Sequence, residues 1–312
     1  MSHRDNLIKK NKELSKPLDM FNVGFVGGDT LYSPPFERSL DNAAYANLDL
    51  YLGSQISSNQ ARGVEMKPDG TKMYVCDTTG NDIYQYNLST AFDLSSASYA
   101  SKTFDVGSQD NDIEGLSIDT TGTKLFIVGS NDRVYYYTLS TAWDISTASY
   151  SNTSFSFQSQ TRYGSDIWFK ADGTRMFIVS RYNGQALSVP RNGMFSYTLS
   201  TAWDISTASY DSKYLLMEPE SADGNPQAAI ITSDGKCILS IDNASGHNKL
   251  YKWTMTTPWD LSTGSYDSES LDISSQASSA RGLTGNADFS KVYIVNTSSQ
   301  MYQYTLPGFV AP

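Results

Sequence analysis

Three short sequence markers that recur in phase predict an all-β fold: a five-bladed β-propeller of four-stranded antiparallel blades, the last blade closed by an N-terminal strand. The first marker is "YNLSTAFDLSSASY" at Tyr86 to Tyr99, "YTLSTAWDISTASY" at Tyr137 to Tyr150 and again at Tyr197 to Tyr210, and "WTMTTPWDLSTGSY" at Trp253 to Tyr266. A fifth copy, "YTLPGF", starts at Tyr304 and breaks off, while "SLDNAAY" at Ser39 to Tyr45 supplies its missing half. The second marker is "PDGTKMYV" from Pro68, with counterparts from Thr120, Ala171, Ser233 and Ala287. The third ends each unit at Gln55, Gln109, Gln160 and Gln276. A period of roughly fifty residues holds four short strands, and such a sheet buries both faces only by stacking on neighbours.

Residues 1–30 fall outside the repeat and are expected to form an attachment arm, with a short helix in "DNLIKKNKELSK" stopped by Pro17. Residues 31–312 are expected to form the propeller, with blades near 61–107, 112–158, 163–217, 226–273 and 280–306 plus a closing strand at 46–54. In the first blade "ARGVEMKP" alternates apolar and polar residues as a half-buried strand a should. Asp69-Gly70 marks a tight a–b turn, because glycine tolerates the positive φ that such turns need. "KMYVCD" is strand b and the most apolar. "DIYQYNL" is strand c, with Ile83, Tyr86 and Leu88 as inward candidates, and "STAFDLSSASY" connects it to strand d, "KTFDVG". Closing the ring with strands from both ends removes the exposed sheet edge that invites aggregation.

Composition narrows the function. Lys plus Arg number 23 against 33 Asp plus Glu, a net charge of −10, which disfavours nucleic acid as a partner because phosphate binding needs clustered cations. No apolar stretch approaches the twenty residues of a transmembrane helix, so membrane insertion is not expected, and the N-terminus lacks the apolar core of a secretory signal. Cys76 and Cys237 sit in apolar runs of different repeats and read as buried free thiols.

The motifs are structural before they are chemical. The Trp-Asp pairs at Trp143, Trp203 and Trp259, with Phe92-Asp93 in the first copy, sit in the c–d connection, where the ring would plug the gap between blades and the carboxylate would accept backbone N–H bonds. The only histidines are His3 and His247, and no nucleophile–base motif is present, so the protein is expected to be no enzyme and to need no cofactor or metal. The acidic patch Asp110, Asp112, Glu114 reads as a solvated loop, and no obvious carboxylate set is seen for the central funnel. The a–b and c–d connections are regular, whereas the irregular b–c and d–a loops share one face of the disc. If the protein binds a ligand, it is expected there, at Tyr163, Arg181, Tyr182, Asn183, Arg191 and His247, with Arg62, Glu114 and Arg281 around the channel mouth.

The phrase "YTLSTAWDISTASY" with "PDGTKMY" upstream resembles repeats of β-propeller proteins encoded by tailed bacteriophages and of some bacterial surface proteins, over about Asp29 to Phe309. That resemblance implies a non-enzymatic virion protein of a tail fibre, tail tip or head decoration. It would be localised to the virion, bound to other virion proteins through residues 1–30, and present a loop face to host-surface glycan or a receptor. A soluble propeller lectin or glycoside hydrolase is the alternative.

Overall fold

The computed structural model describes residues 37–56, 60–181, 192–218, 224–244 and 248–310. The expected arm, residues 1–30, lies outside them.

Within 37–310 the strands run in the order the repeat demands. β1 (Ala44–Tyr51) is followed by β2 (Ala61–Met66), β3 (Lys72–Asp77), β4 (Asp82–Leu88) and β5 (Ala97–Asp105) of blade I. Blade II holds β6 (Ile113–Ile118), β7 (Lys124–Gly129), β8 (Arg133–Leu139) and β9 (Ala148–Ser156). Blade III holds β10 (Gly164–Phe169), β11 (Arg175–Ser180), β12 (Gly193–Leu199) and β13 (Ala208–Leu216). Blade IV holds β14 (Pro226–Ile231), β15 (Cys237–Asp242), β16 (Lys249–Met255) and β17 (Gly264–Asp272). Blade V is β18 (Ala280–Gly285), β19 (Lys291–Asn296) and β20 (Gln300–Thr305), completed by β1, which pairs antiparallel with β20. Tyr45 lies opposite Tyr304, as Tyr99 lies opposite Tyr86, so the split repeat is rejoined in space.

Burial follows strand position. Strand b is buried on both sides in every blade, while strand d alternates exposed and half-buried residues along the outer rim. Strand d starts earlier than the sequence suggests. "ASY" belongs to the strand because Tyr99 packs on Tyr86 and Tyr84, with ring centroids 5.7 and 6.4 Å apart. Cys76 and Cys237 are buried free thiols in separate clusters.

The c–d connection latches adjacent blades. Asp93, Asp144, Asp204 and Asp260 each cap a single 3₁₀ turn by accepting the N–H two residues on. The preceding Phe92, Trp143, Trp203 or Trp259 takes a left-handed φ of 59 to 64° and donates its N–H to the glycine carbonyl of the a–b turn. Its own carbonyl accepts from the previous blade: Tyr74 Oη to Trp143 (2.9 Å), Lys124 Nζ to Trp203 (3.2 Å) and Tyr293 Oη to Phe92 (2.7 Å). The rings fill the seam, Trp203 over Phe126 and Trp259 over Trp168 with centroids 6.3 and 5.8 Å apart. At the corresponding turn blade V carries Phe289 at φ 57° in place of the glycines at φ 70 to 74°. The third marker links blades too, since Gln55 and Gln109 accept from Tyr86 and Tyr137 of the next blade.

Candidate functional site at the channel mouth

The five first strands, β2, β6, β10, β14 and β18, line the centre, all starting at the face that carries the b–c and d–a loops. Their second residues are Arg62, Glu114, Ser165, Gln227 and Arg281. Each of these strands then bulges, shifting register against strand b by one residue, so its third residue also faces neighbouring backbone. There only a small residue fits in most blades. A Cβ on Gly63 would lie 2.8 Å from Gly115 Cα, and one on Gly115 would lie 2.7 Å from Asp166 Cα. The inner strands thus pinch to a neck just below the mouth.

Above the neck the mouth is a charge cluster. Glu114 is only 4% exposed, with Arg62 Nε 3.3 Å from one carboxylate oxygen and Arg181 Nη2 2.5 Å from the other. Arg181 follows β11, its N–H bound to the Tyr163 carbonyl, and its guanidinium also reaches Gln227 Oε1 at 3.5 Å. Arg281 donates to the same Gln227 oxygen, while its buried Nε has no hydrogen-bond partner among the described residues. Burial raises the Glu114 pKa, and the Arg181 and Arg62 cations hold part of that rise back. Burial, then Arg62 and Arg181, pushes Arg281 down to about 10, so it stays charged at neutral pH. Among the described residues, three guanidinium groups gather around the Glu114 carboxylate, with the Asp112 charge also acting on it, in a chain of net charge −10. Paired guanidinium forks in a recess match a carboxylate or phosphate better than any other group class.

The structure therefore brings together Arg62, Glu114, Arg181 and Arg281. Tyr163, 46% exposed at φ 52°, stands beside them through its backbone. Tyr182, Asn183, Arg191 and His247 lie outside the described residues. Gln227, which joins Arg181 to Arg281, was missed, although its place in phase with Arg62 and Arg281 marks it. Two sequence expectations are corrected. The acidic patch is not a solvated loop: Asp110 is fully buried, accepting the N–H groups of Asp112 and Asn131, and Glu114 turns into the mouth. Nor do the inner strands lack carboxylates, for Glu65, Glu114 and Asp166 all belong to them.

No protein-family model and no curated protein matches the sequence. Among solved structures, the chain is similar to a putative 6-phosphogluconolactonase from Bacteroides uniformis (10% identity, TM-score 0.47, 76% of this chain and 63% of that one). A putative 6-phosphogluconolactonase from Bacteroides fragilis matches at 15% identity and TM-score 0.44, over 68% and 55%. The Cps50 (Swd1) β-propeller domain of Myceliophteria thermophila matches at 11% and 0.42, over 76% and 62%. The matched part spans about three fifths of those chains. None of these is described as a virion protein, which corrects the reading of this chain as a tail-fibre, tail-tip or head-decoration protein. Likeness at this level concerns the fold and carries no activity over. The fold is an all-β ring of five four-stranded blades closed by β1.

Proposed function

We propose that this protein is a ligand-binding β-propeller that takes the anionic group of a small molecule, a carboxylate or a phosphate, at its arginine-lined channel mouth. The observation that carries the reading is the gathering of Arg62, Arg181 and Arg281 around one buried carboxylate, with the Arg281 Nε unpartnered among the described residues. Glu114 serves as the counter-ion that orients Arg62 and Arg181; held by both, it is poorly placed to act as a general base. Tyr163, exposed beside the arginines, would contact the rest of the ligand. An acidic sugar fits both demands, which retains the lectin alternative in a specific form.

Isothermal titration with gluconate and with inorganic phosphate tests the proposal. Saturable binding that is lost in Arg281→Ala and weakened in Arg181→Ala is expected. At a hundredfold excess over Kd the ligand should stabilise the fold by about 2.7 kcal/mol. Equal binding to wild type and Arg281→Ala, or no saturable binding of either anion, would overturn it.

A further inference from the structure

Below the neck, the channel opens at the opposite face into a cavity of about 410 Å³. Its walls are aromatic: Trp168, Trp203 and Trp259 line it, with Phe169 and Phe289. Its lining also includes two carboxyl groups from inner strands, Glu65 and Asp166. Asp166 is 7% exposed and accepts the N–H groups of Ile167 (2.9 Å) and Ala229 (3.3 Å). Among the described residues neither carboxyl forms an ion pair with a lysine or arginine. Burial pushes Asp166 well above the usual carboxylate range; burial and then the nearby Asp166 do the same to Glu65, against the lowering effect of the Ile118 N–H. Two such acids, Asp166 buried and Glu65 half-buried, with no lysine or arginine paired to them among the described residues, need either protons or a positively charged guest.

We propose that this cavity binds an organic cation of the alkylated-ammonium class, its charge set against Glu65 and Asp166 and its alkyl groups against Trp168, Trp203 and Trp259. A tryptophan face attracts an ammonium through its ring quadrupole and is the preferred wall for alkylated nitrogen. The rim already shows that chemistry: Lys170 Nζ lies 5.5 Å from the Trp259 ring centre while paired with Asp172 at 2.6 Å. A metal ion would want more oxygen ligands than two carboxyls and no aromatic wall. A neutral sugar could stack on the rings but would leave the two acids uncompensated. This site is separate from the arginine mouth and stands or falls independently of it.

The test is calorimetric titration of the full chain with choline, with the uncharged tert-butyl analogue of choline, and with methyl glucoside, supported by tryptophan fluorescence. Choline is expected to saturate, to bind at least tenfold more tightly than the uncharged analogue, and to change the fluorescence. Glu65→Gln, which keeps the side-chain shape, should weaken it at least tenfold. Equal affinity for the uncharged analogue would reduce the site to an apolar cavity and overturn the proposal, as would methyl glucoside binding in place of choline. Should Glu65→Gln fail to fold, the comparison of choline with its analogue on wild type decides alone.

Discussion

The latch between the a–b turn and the c–d connection can be measured through Gly70 and Phe92. Gly70 holds φ +70°, and a Cβ there would lie 2.5 Å from Phe92 Cγ and Cδ2. Gly70→Ala therefore carries two costs. The left-handed backbone costs a non-glycine residue about 1–2 kcal/mol, and forcing a methyl under the ring adds about 1–3 kcal/mol. A loss of roughly 3 kcal/mol is expected by urea denaturation. In a Phe92→Ala background the methyl has room, so only the backbone cost remains. The double-mutant cycle should then show a favourable coupling of about 1–3 kcal/mol. Blade V differs at this position, carrying Phe289 at φ 57° in place of the glycine. Additivity within about 0.5 kcal/mol would refute the idea that the ring dictates the glycine.

Two further outcomes follow from the same structure. Burial lifts the Asp110 carboxyl from 3.8 to about 6, against the N–H bonds of Asp112 and Asn131. The folded protein thus holds a proton that the unfolded chain has released between about pH 4 and 6, and the associated stability, present below pH 4, is lost as pH rises through 6. Asp110→Asn should flatten that decline, by up to about 3 kcal/mol from the shift alone and nearer ~1 after screening, in denaturation midpoints taken from pH 4 to 7. In the closing strand, Tyr45 packs on Tyr302 and Tyr304 with centroids 6.0 and 5.8 Å apart. Because the ring is only partly buried, Tyr45→Ala should cost roughly 1–3 kcal/mol. It should also speed unfolding, which stopped-flow fluorescence would report.

Most of the architecture is legible in the sequence because each blade repeats the same turn and latch chemistry. Asp-Gly before strand b, Trp-Asp before the 3₁₀ turn and the paired tyrosines all do in space what their residue types suggest. The split repeat was legible for the same reason: Tyr45 stands to Tyr304 as Tyr99 stands to Tyr86. The channel was only half legible. Arg62, Glu114 and Arg281 share the second position of strand a, so phase alone gathers them. Arg181 joins them from a loop next to a strand end. Glu65 and Asp166 escaped notice because a bulge interrupts the two-residue alternation of each inner strand, so alternation cannot say which side chains face the channel. Aligning the five inner strands would have exposed Asp166, which stands where the others carry glycine or alanine.

The most direct test of the arginine mouth is an anomalous-diffraction map of crystals grown with selenate, a tetrahedral dianion visible by its selenium. The account predicts a peak within hydrogen-bond reach of the Arg62, Arg181 and Arg281 guanidinium groups, absent in Arg281→Ala crystals. Selenate ordered elsewhere on the surface while the mouth stays empty would contradict it.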